Sequence, residues 1–314
     1  MKVLITGTSG FVGNELRRYF TAEGHEVTGT VGRKAPREGE LKIDIGDWNS
    51  YQELENQQFD IIIHSAAALE GSSRKVMNKV NVEGTVNILK IARQSGCKHF
   101  IHISSLAVYG LKALGEERTE MTRRSSKGSA YGATKKKAEE IVEQSGLKYS
   151  ILRLPPVIGK KDSYVSPLLI RSLQRNSPFY TGRKNKRISL LHIQNLPFII
   201  EKMVKSGPEN DYYNCLDFNI LWFDFVTEYG EKIGTAPRFI RKNFLHSFLR
   251  SIKDSDKTFT TLVGHKGMHY ENGKLMEQLN IRDFPYSWKN AVHEACQSIK
   301  TANSKEFRRL EING

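Results

Sequence analysis

The eight residues Thr6-Gly7-Thr8-Ser9-Gly10-Phe11-Val12-Gly13 constrain this chain more than any other stretch. They follow a short apolar run, Val3-Leu4-Ile5. They open a segment whose apolar positions Phe11, Val12, Leu16, Tyr19 and Phe20 have helical spacing until Gly24. A glycine-rich turn between a buried strand and a helix has a physical use for each glycine. Gly7 permits the tight turn, Gly10 lets the backbone approach a pyrophosphate, and Gly13 lets the helix pack closely on the sheet. The anion would rest on free N–H groups at the helix N-terminus. Gly7, Thr8, Ser9, Gly10, Phe11, Val12 and Gly13 are therefore expected to line a nucleotide. No Lys-Ser or Lys-Thr follows the glycines, which excludes a Walker phosphate loop.

The rest of the first half supplies the frame such a turn needs. Apolar runs predict strands near 26–31, 59–63, 99–103 and 149–154, and helical periods predict helices over 80–92 and 130–144. Strands and helices alternate, with connections long enough for crossovers. The expected class is α/β: a doubly wound, Rossmann-type parallel sheet over residues 1–160. The 314 residues leave room for a second, smaller α/β substrate-binding domain over 161–314, with elements free to return to the first sheet. There the pattern loosens. Helices are predicted near 166–174, 196–205, 221–229, 274–279 and 288–301, and strands near 187–191 and 213–216. Residues 236–265, rich in Phe and basic side chains, show no clear period.

Composition narrows the class further. The net charge of +14 predicts attraction to anions, but the basic residues are scattered apart from short clusters such as Lys135-Lys136-Lys137 and 183–187. Without a zinc-finger spacing or an RNP-type motif, nucleic acid is not the expected partner. Three widely spaced cysteines, Cys97, Cys215 and Cys296, indicate neither a disulfide framework nor a metal site. The opening residues do not read as a signal peptide, and no run approaches the roughly 20 apolar residues of a membrane span. A cytoplasmic protein is the default expectation.

Two constellations point to chemistry. The second strand ends in Val31-Gly32-Arg33-Lys34, where NAD sites commonly carry an acid for the ribose 2′-OH. Two cations instead favour a 2′-phosphate, hence NADP over NAD, with Arg33 as its contact; solvated loop charges are the plain alternative. Asp44, in Ile43-Asp44-Ile45, is placed to accept from the adenine amine. Tyr131 and Lys135, four apart on a predicted helix, share a face. An ammonium beside a phenol lowers its pKa from about 10, as a tyrosine acid/base needs. The strand upstream ends in Ser104-Ser105, whose side chains point to opposite sides.

These motifs together resemble the extended short-chain dehydrogenase/reductase family, which includes nucleotide-sugar epimerases, dehydratases and reductases. The 6–13 turn is similar to its Thr-Gly-x-x-Gly-x-x-Gly. His64-Ser65-Ala66-Ala67, Asn81-Val82-Glu83-Gly84-Thr85-Val86-Asn87, Ser104-Ser105-Leu106-Ala107-Val108-Tyr109-Gly110, Tyr131 to Lys135 and Arg153-Leu154-Pro155-Pro156-Val157-Ile158-Gly159 resemble its later motifs in order. The resemblance implies that Tyr131 moves a proton on a substrate oxygen and Ser105 positions that oxygen. It implies that Lys135 binds the nicotinamide ribose and lowers the tyrosine pKa. Ile45, Ser65, Ala66, Ala67, Pro156 and Val157 join the implied cofactor contacts, and a homodimer through the tyrosine helix is a further implication.

Departures narrow the activity. Leu106 and Ala107 stand where dehydratases of the family carry Asp-Glu, so dehydration is not expected. An NADP-leaning pocket suits a reductase that exchanges its cofactor each turnover. The expected function is NAD(P)-dependent hydride transfer to or from a keto or hydroxy carbon of a nucleotide-activated (deoxy)sugar. A nucleotide-sugar 4-epimerase and a reductase of a steroid- or flavonoid-like ketone remain as alternatives. A non-catalytic sensor has no need of the Ser105/Tyr131/Lys135 set. Arg118, Arg123, Arg124 and Lys127 replace the acidic stretch usual before the tyrosine, either to face a diphosphate or as surface. A basic substrate groove around Arg171, Arg175, Arg183 and Arg187 would favour a diphosphate over an apolar ligand. His192 is expected to be structural, because Asn195 stands where the family's Asp would follow it.

Overall fold

The computed structural model describes the backbone of all residues except 111–114, 116, 183, 207–209, 252–254 and 313–314, and the side chains of those residues and of 206, 255–257 and 302–312 are also set aside. The first half runs β1 (Lys2–Thr6), α1 (Phe11–Ala22), β2 (Glu26–Val31), β3 (Glu40–Lys42), β4 (Ile61–His64), α2 (Arg74–Asn78), α3 (Gly84–Gln94), β5 (His99–Ser105), α4 (Ala130–Glu143) and β6 (Tyr149–Leu154). The second half runs β7 (Val157–Ile158), α5 (Val165–Gln174), β8 (Phe179–Thr181), β9 (Arg187–His192), α6 (Asn195–Ser206), β10 (Asp211–Asn214), β11 (Phe218–Leu221), α7 (Trp222–Ile233), β12 (Phe239–Arg241), α8 (Phe244–Ser251), α9 (Ser255–Lys266), α10 (Gly273–Gln278) and α11 (Trp288–Ile312).

Seven strands form one parallel sheet in the order β10-β6-β5-β4-β1-β2-β3. Strand alternation fills both of its faces. Val3, Ile5, Ile61, Ile63, Ile101, Ile103, Leu152 and Leu154 pack with Leu16 and Phe20 of α1 and Leu196, Ile199 and Ile200 of α6. Leu4, Ile62, Phe100 and Ile151 face Ile88, Leu89 and Ile91 of α3 and Val142 of α4. Burial on both faces is why these strands read as continuous apolar runs. The strand order reverses beside β1, so β1 and β4 end at the crevice where doubly wound sheets take ligands.

The second half builds its own core from Leu168 and Leu169 of α5, Trp222, Phe225 and Tyr229 of α7, and Ala291, Val292 and Cys296 of α11. Around it lie a three-stranded sheet, β11-β9-β7, and a two-stranded pair, β12-β8. It also sends β10 and α6 back to the first sheet, where Tyr213 is fully buried.

Two of the departures from the sequence reading lie in the first half of the chain. The edge strand β3 carries one apolar residue between two charged ones, too little pattern to announce a strand. The helix expected over 80–92 is broken: Lys79–Glu83 is a π-helical turn between α2 and α3. That wider turn carries Asn81, whose Nδ2 donates to the Ala68 carbonyl and to Thr134 Oγ1, both at 2.9 Å. It ties the segment after β4 to α4.

Candidate active site

The glycine turn adopts the conformation its residues allow. Gly7 has φ +76°, and a Cβ there would lie 2.8 Å from the Ala66 backbone. A Cβ on Gly13 would lie 2.4 Å from the Gly7 carbonyl oxygen and 2.9 Å from Ser65 Oγ. The two strand ends are stitched together. Thr6 Oγ1 accepts from the backbone N–H groups of Ser65 and Ala66 (both 3.1 Å), and Ser65 Oγ donates to the Thr6 carbonyl (2.5 Å). Gly10 caps α1 without a side chain, and the first turn holds no acid. The N–H groups of Phe11, Val12 and Gly13 are therefore offered to a ligand. The cradle fits a dinucleotide pyrophosphate: close-packed glycines beneath, free donors in front, and Ser65-Ala66-Ala67 alongside.

After β2, Arg33 and Lys34 are exposed, and Lys34 Nζ donates to the Ser9 carbonyl at 3.1 Å. A cation absent from the sequence reading, Arg37, lies closer in. Its guanidinium donates to Asn14 Oδ1 (3.0 Å), to the Thr8 carbonyl (3.3 Å) and to Glu40 Oε1 (2.6 Å). Glu40 is buried and also accepts from Thr8 Oγ1 at 2.7 Å. The Arg37 guanidinium holds its carboxyl down near about 2. Glu40 is thus already paired at this corner. Arg37 is found only in space, because the 33–39 loop folds it back onto the turn. Asp44 pairs with Lys79 Nζ at 2.7 Å, and Ile45 beside it is buried.

On the other side of the crevice, β5 delivers Ser105 and α4 delivers Tyr131 and Lys135. Ser105 and Ser104 face opposite ways. Ser105 Oγ accepts from the Ala107 N–H (3.2 Å) and lies on the side of the Tyr131 phenol, whose ionised form it favours. Ser104 Oγ turns inward to Glu139. Lys135 is buried, and its Nζ donates to the Ile103 carbonyl at 2.6 Å. Burial, rather than the charge of one group on the other, is the largest influence on both the phenol and the ammonium. Burial pushes the Tyr131 pKa up to about 12. The Ser105 hydroxyl opposes that rise, and the Glu70 carboxylate adds to it. Burial also lowers the Lys135 pKa to about 8. The ammonium is turned to a backbone carbonyl, and desolvation governs both groups. Glu70 was also missed. It accepts from Ser129 Oγ (3.0 Å) and from the Tyr131 N–H (3.4 Å) at the start of α4.

Beneath these residues lies a buried ionic cluster. Glu139, one turn beyond Lys135, accepts from Arg153 Nη2 (2.9 Å), Arg124 Nη1 (2.8 Å) and Ser104 Oγ (2.5 Å). Arg153 is 1% exposed and continues through Tyr109 Oη (2.8 Å) to Asn214 Oδ1 (2.7 Å). The i, i+4, i+8 spacing of Tyr131, Lys135 and Glu139 was the available signal, since it sets all three on one face of α4. Pro156 and Val157 follow β6; the Pro156 carbonyl accepts from Leu191 N–H at 3.2 Å, and Val157 pairs with Leu191.

The basic residues divide. Arg118, Arg123, Arg124 and Lys127 line a groove of about 400 Å3 with Tyr109 and Lys136, and its walls include neither Ser105 nor Tyr131. Arg171 and Arg175 are exposed on and after α5. Arg187 donates to the Asn219 carbonyl at 2.7 Å, and Arg183 lies outside the described residues. His192 is buried, accepts from the Gln194 N–H (3.1 Å), and has its pKa lowered by burial to about 4, as suits a structural role.

Comparison with known proteins agrees with this architecture. The sequence profile of the NAD dependent epimerase/dehydratase family matches residues 3–215. A UDP-glucose 4-epimerase of Vibrio cholerae is 30% identical over 214 residues, 63% of this chain and 65% of that protein, so the chain spans a little under two thirds of that relative. A decarboxylating sterol-4-alpha-carboxylate 3-dehydrogenase of Dictyostelium discoideum is 23% identical over 268 residues, 79% of each chain. Among solved structures, the Bordetella bronchiseptica enzyme WbmH in complex with NAD+ shares the fold with a TM-score of 0.79 at 17% identity, covering 96% of this chain and 98% of its own. The profile match spans the glycine turn, both serines, Tyr131, Lys135 and the returning strand β10, and on it this chain belongs to the NAD-dependent epimerase/dehydratase family.

Proposed function

We propose that this protein is an NADP-preferring oxidoreductase acting on a keto or hydroxy carbon of a nucleotide-activated sugar, with Tyr131 as the acid/base. The observation that carries this reading is the juxtaposition at the end of β5: Ser105 lies beside the start of α4, which carries Tyr131 with Lys135 one helical turn along the same face. Bound NADP would supply or accept the hydride. Ser105 holds the substrate oxygen against the phenol, and Tyr131 gives that oxygen a proton in reduction or takes one in oxidation. Lys135 holds the ribose through its ammonium once drawn from the Ile103 carbonyl, and then favours the phenolate. Leu106 and Ala107 leave no acid beside Ser105 for dehydration. Arg33, Lys34 and Arg37, with Glu40 already paired, support the 2′-phosphate.

Turnover measured with NADPH and NADH against nucleotide-activated keto-sugars and apolar ketones tests the reading. Tyr131→Phe is expected to lower kcat by roughly 10²–10⁴-fold. Retained turnover in that variant overturns the mechanism, and tighter binding of NADH than NADPH overturns the cofactor preference. Epimer interconversion by protein that keeps its cofactor through purification assigns the chain to 4-epimerisation instead.

A further inference from the structure

Helix α8 carries an apolar stripe that its own packing does not use. Asn243 Oδ1 accepts from the His246 N–H at 2.8 Å and fixes the helix start. The inward face is Phe244, Ser247, Phe248 and Ser251. The two rings stack at 5.4 Å, both serines are fully buried, and Phe244 meets His265 of α9 edge-on at 5.6 Å. The opposite face presents Leu245 and Leu249, one turn apart, 67% and 62% exposed. Two leucines stacked toward water on a helix whose core face is already complete need another reason.

The surroundings of the stripe supply one. Arg241, Lys242, His246 and Arg250 are exposed beside it, and Arg238 is exposed three residues before Arg241. From residue 234 to 251 the chain holds four Arg and Lys and no Asp or Glu. A leucine stripe rimmed by cations is the pattern of a helix lying in the plane of a lipid interface. There the apolar side chains enter the acyl boundary and the cations meet anionic headgroups. No helix among the described residues is long and apolar enough to cross a bilayer, so the contact would be peripheral. The helix is firmly mounted: Thr258 Oγ1 donates to the Ser251 carbonyl at 2.8 Å, and Lys266 Nζ lies 5.0 Å above the Phe244 ring.

We propose that α8 is a docking element that lays Leu245 and Leu249 into the surface of a bilayer containing anionic phospholipid. Two leucines and four cations give reversible binding, strengthened by anionic lipid and weakened by salt. This site is separate from the hydride-transfer site and stands or falls without it.

The full chain is sedimented with vesicles of phosphatidylcholine alone and of phosphatidylcholine mixed with phosphatidylglycerol, at low and high salt. Binding to the mixed vesicles and its loss in salt are expected. Leu245→Ser with Leu249→Ser should weaken partitioning at least roughly tenfold, and Arg241→Gln with Lys242→Gln about fivefold for each charge removed. These side chains are exposed, so circular dichroism and the thermal midpoint should stay as in the parent. If the serine pair does not fold, the glutamine pair carries the test. Failure of the parent to sediment with the mixed vesicles, or equal binding by the variants, overturns the proposal. So does sedimentation velocity showing that the stripe joins two copies of the chain without lipid.

Discussion

Lys135 offers a direct test of how the site is held before a cofactor binds. Its ammonium is buried, with the Ile103 carbonyl at 2.6 Å and Glu139 as its favourable charge. Burial lowers its pKa from an ordinary 10.5 to about 8. The difference converts to about 3 kcal/mol at roughly 1.4 kcal/mol per pH unit. The sign follows from proton counting. Between pH 8 and 10.5 the unfolded chain keeps this proton and the folded chain releases it, so stability rises with pH across that window. Below pH 8 both states are protonated and the full cost of about 3 kcal/mol is present. Lys135→Met keeps the apolar stem and removes the ammonium. It also orphans the Ile103 carbonyl, at a pH-independent cost of about 1–3 kcal/mol, so the two proteins should differ little near pH 7. Their pH dependence should differ. Urea unfolding of cofactor-free protein should show the parent gaining about 2 kcal/mol over the variant from pH 7 to 9.5. A difference between them that stays constant over that range would refute the reasoning, and a fall would reverse its sign.

Other perturbations test neighbouring parts. Gly13→Ala drives a Cβ against the Gly7 carbonyl, and is expected to cost about 1–3 kcal/mol in thermal unfolding and most of the NADPH affinity measured by fluorescence titration; parent-like affinity would mean the turn does not cradle the pyrophosphate. Glu139→Gln leaves the buried Arg153 guanidinium without its carboxylate, and urea unfolding should show a loss of about 3–5 kcal/mol. The Glu70 carboxylate disfavours the phenolate, so Glu70→Gln should move the tyrosine limb of the kcat–pH profile to lower pH, whereas Ser105→Ala should move it higher; unchanged profiles would detach both residues from the phenol. Arg37→Ala should weaken NADPH binding roughly tenfold more than NADH binding, since both share the turn that Arg37 braces but only NADPH carries the 2′-phosphate.

The sequence by itself determined the elements whose causes are local. The apolar runs 3–5 and 61–63 and the glycine turn fix strand, turn and helix through steric and burial preferences of adjacent residues. Ser105, Tyr131 and Lys135 were legible for the same reason, as strand-end and i, i+4 spacing needs no distant partner. Tertiary structure decided what depends on residues far apart. Arg37 reaches the turn only because its loop folds back over Thr8. Glu139 meets Arg153 only because β6 lies beside β5, and Glu70 reaches the start of α4 only because Asn81 holds the segment after β4. The protonation preferences were decided there too. An α4 face can place a lysine one turn from a tyrosine, but burial depth and the Ile103 carbonyl set where each proton rests.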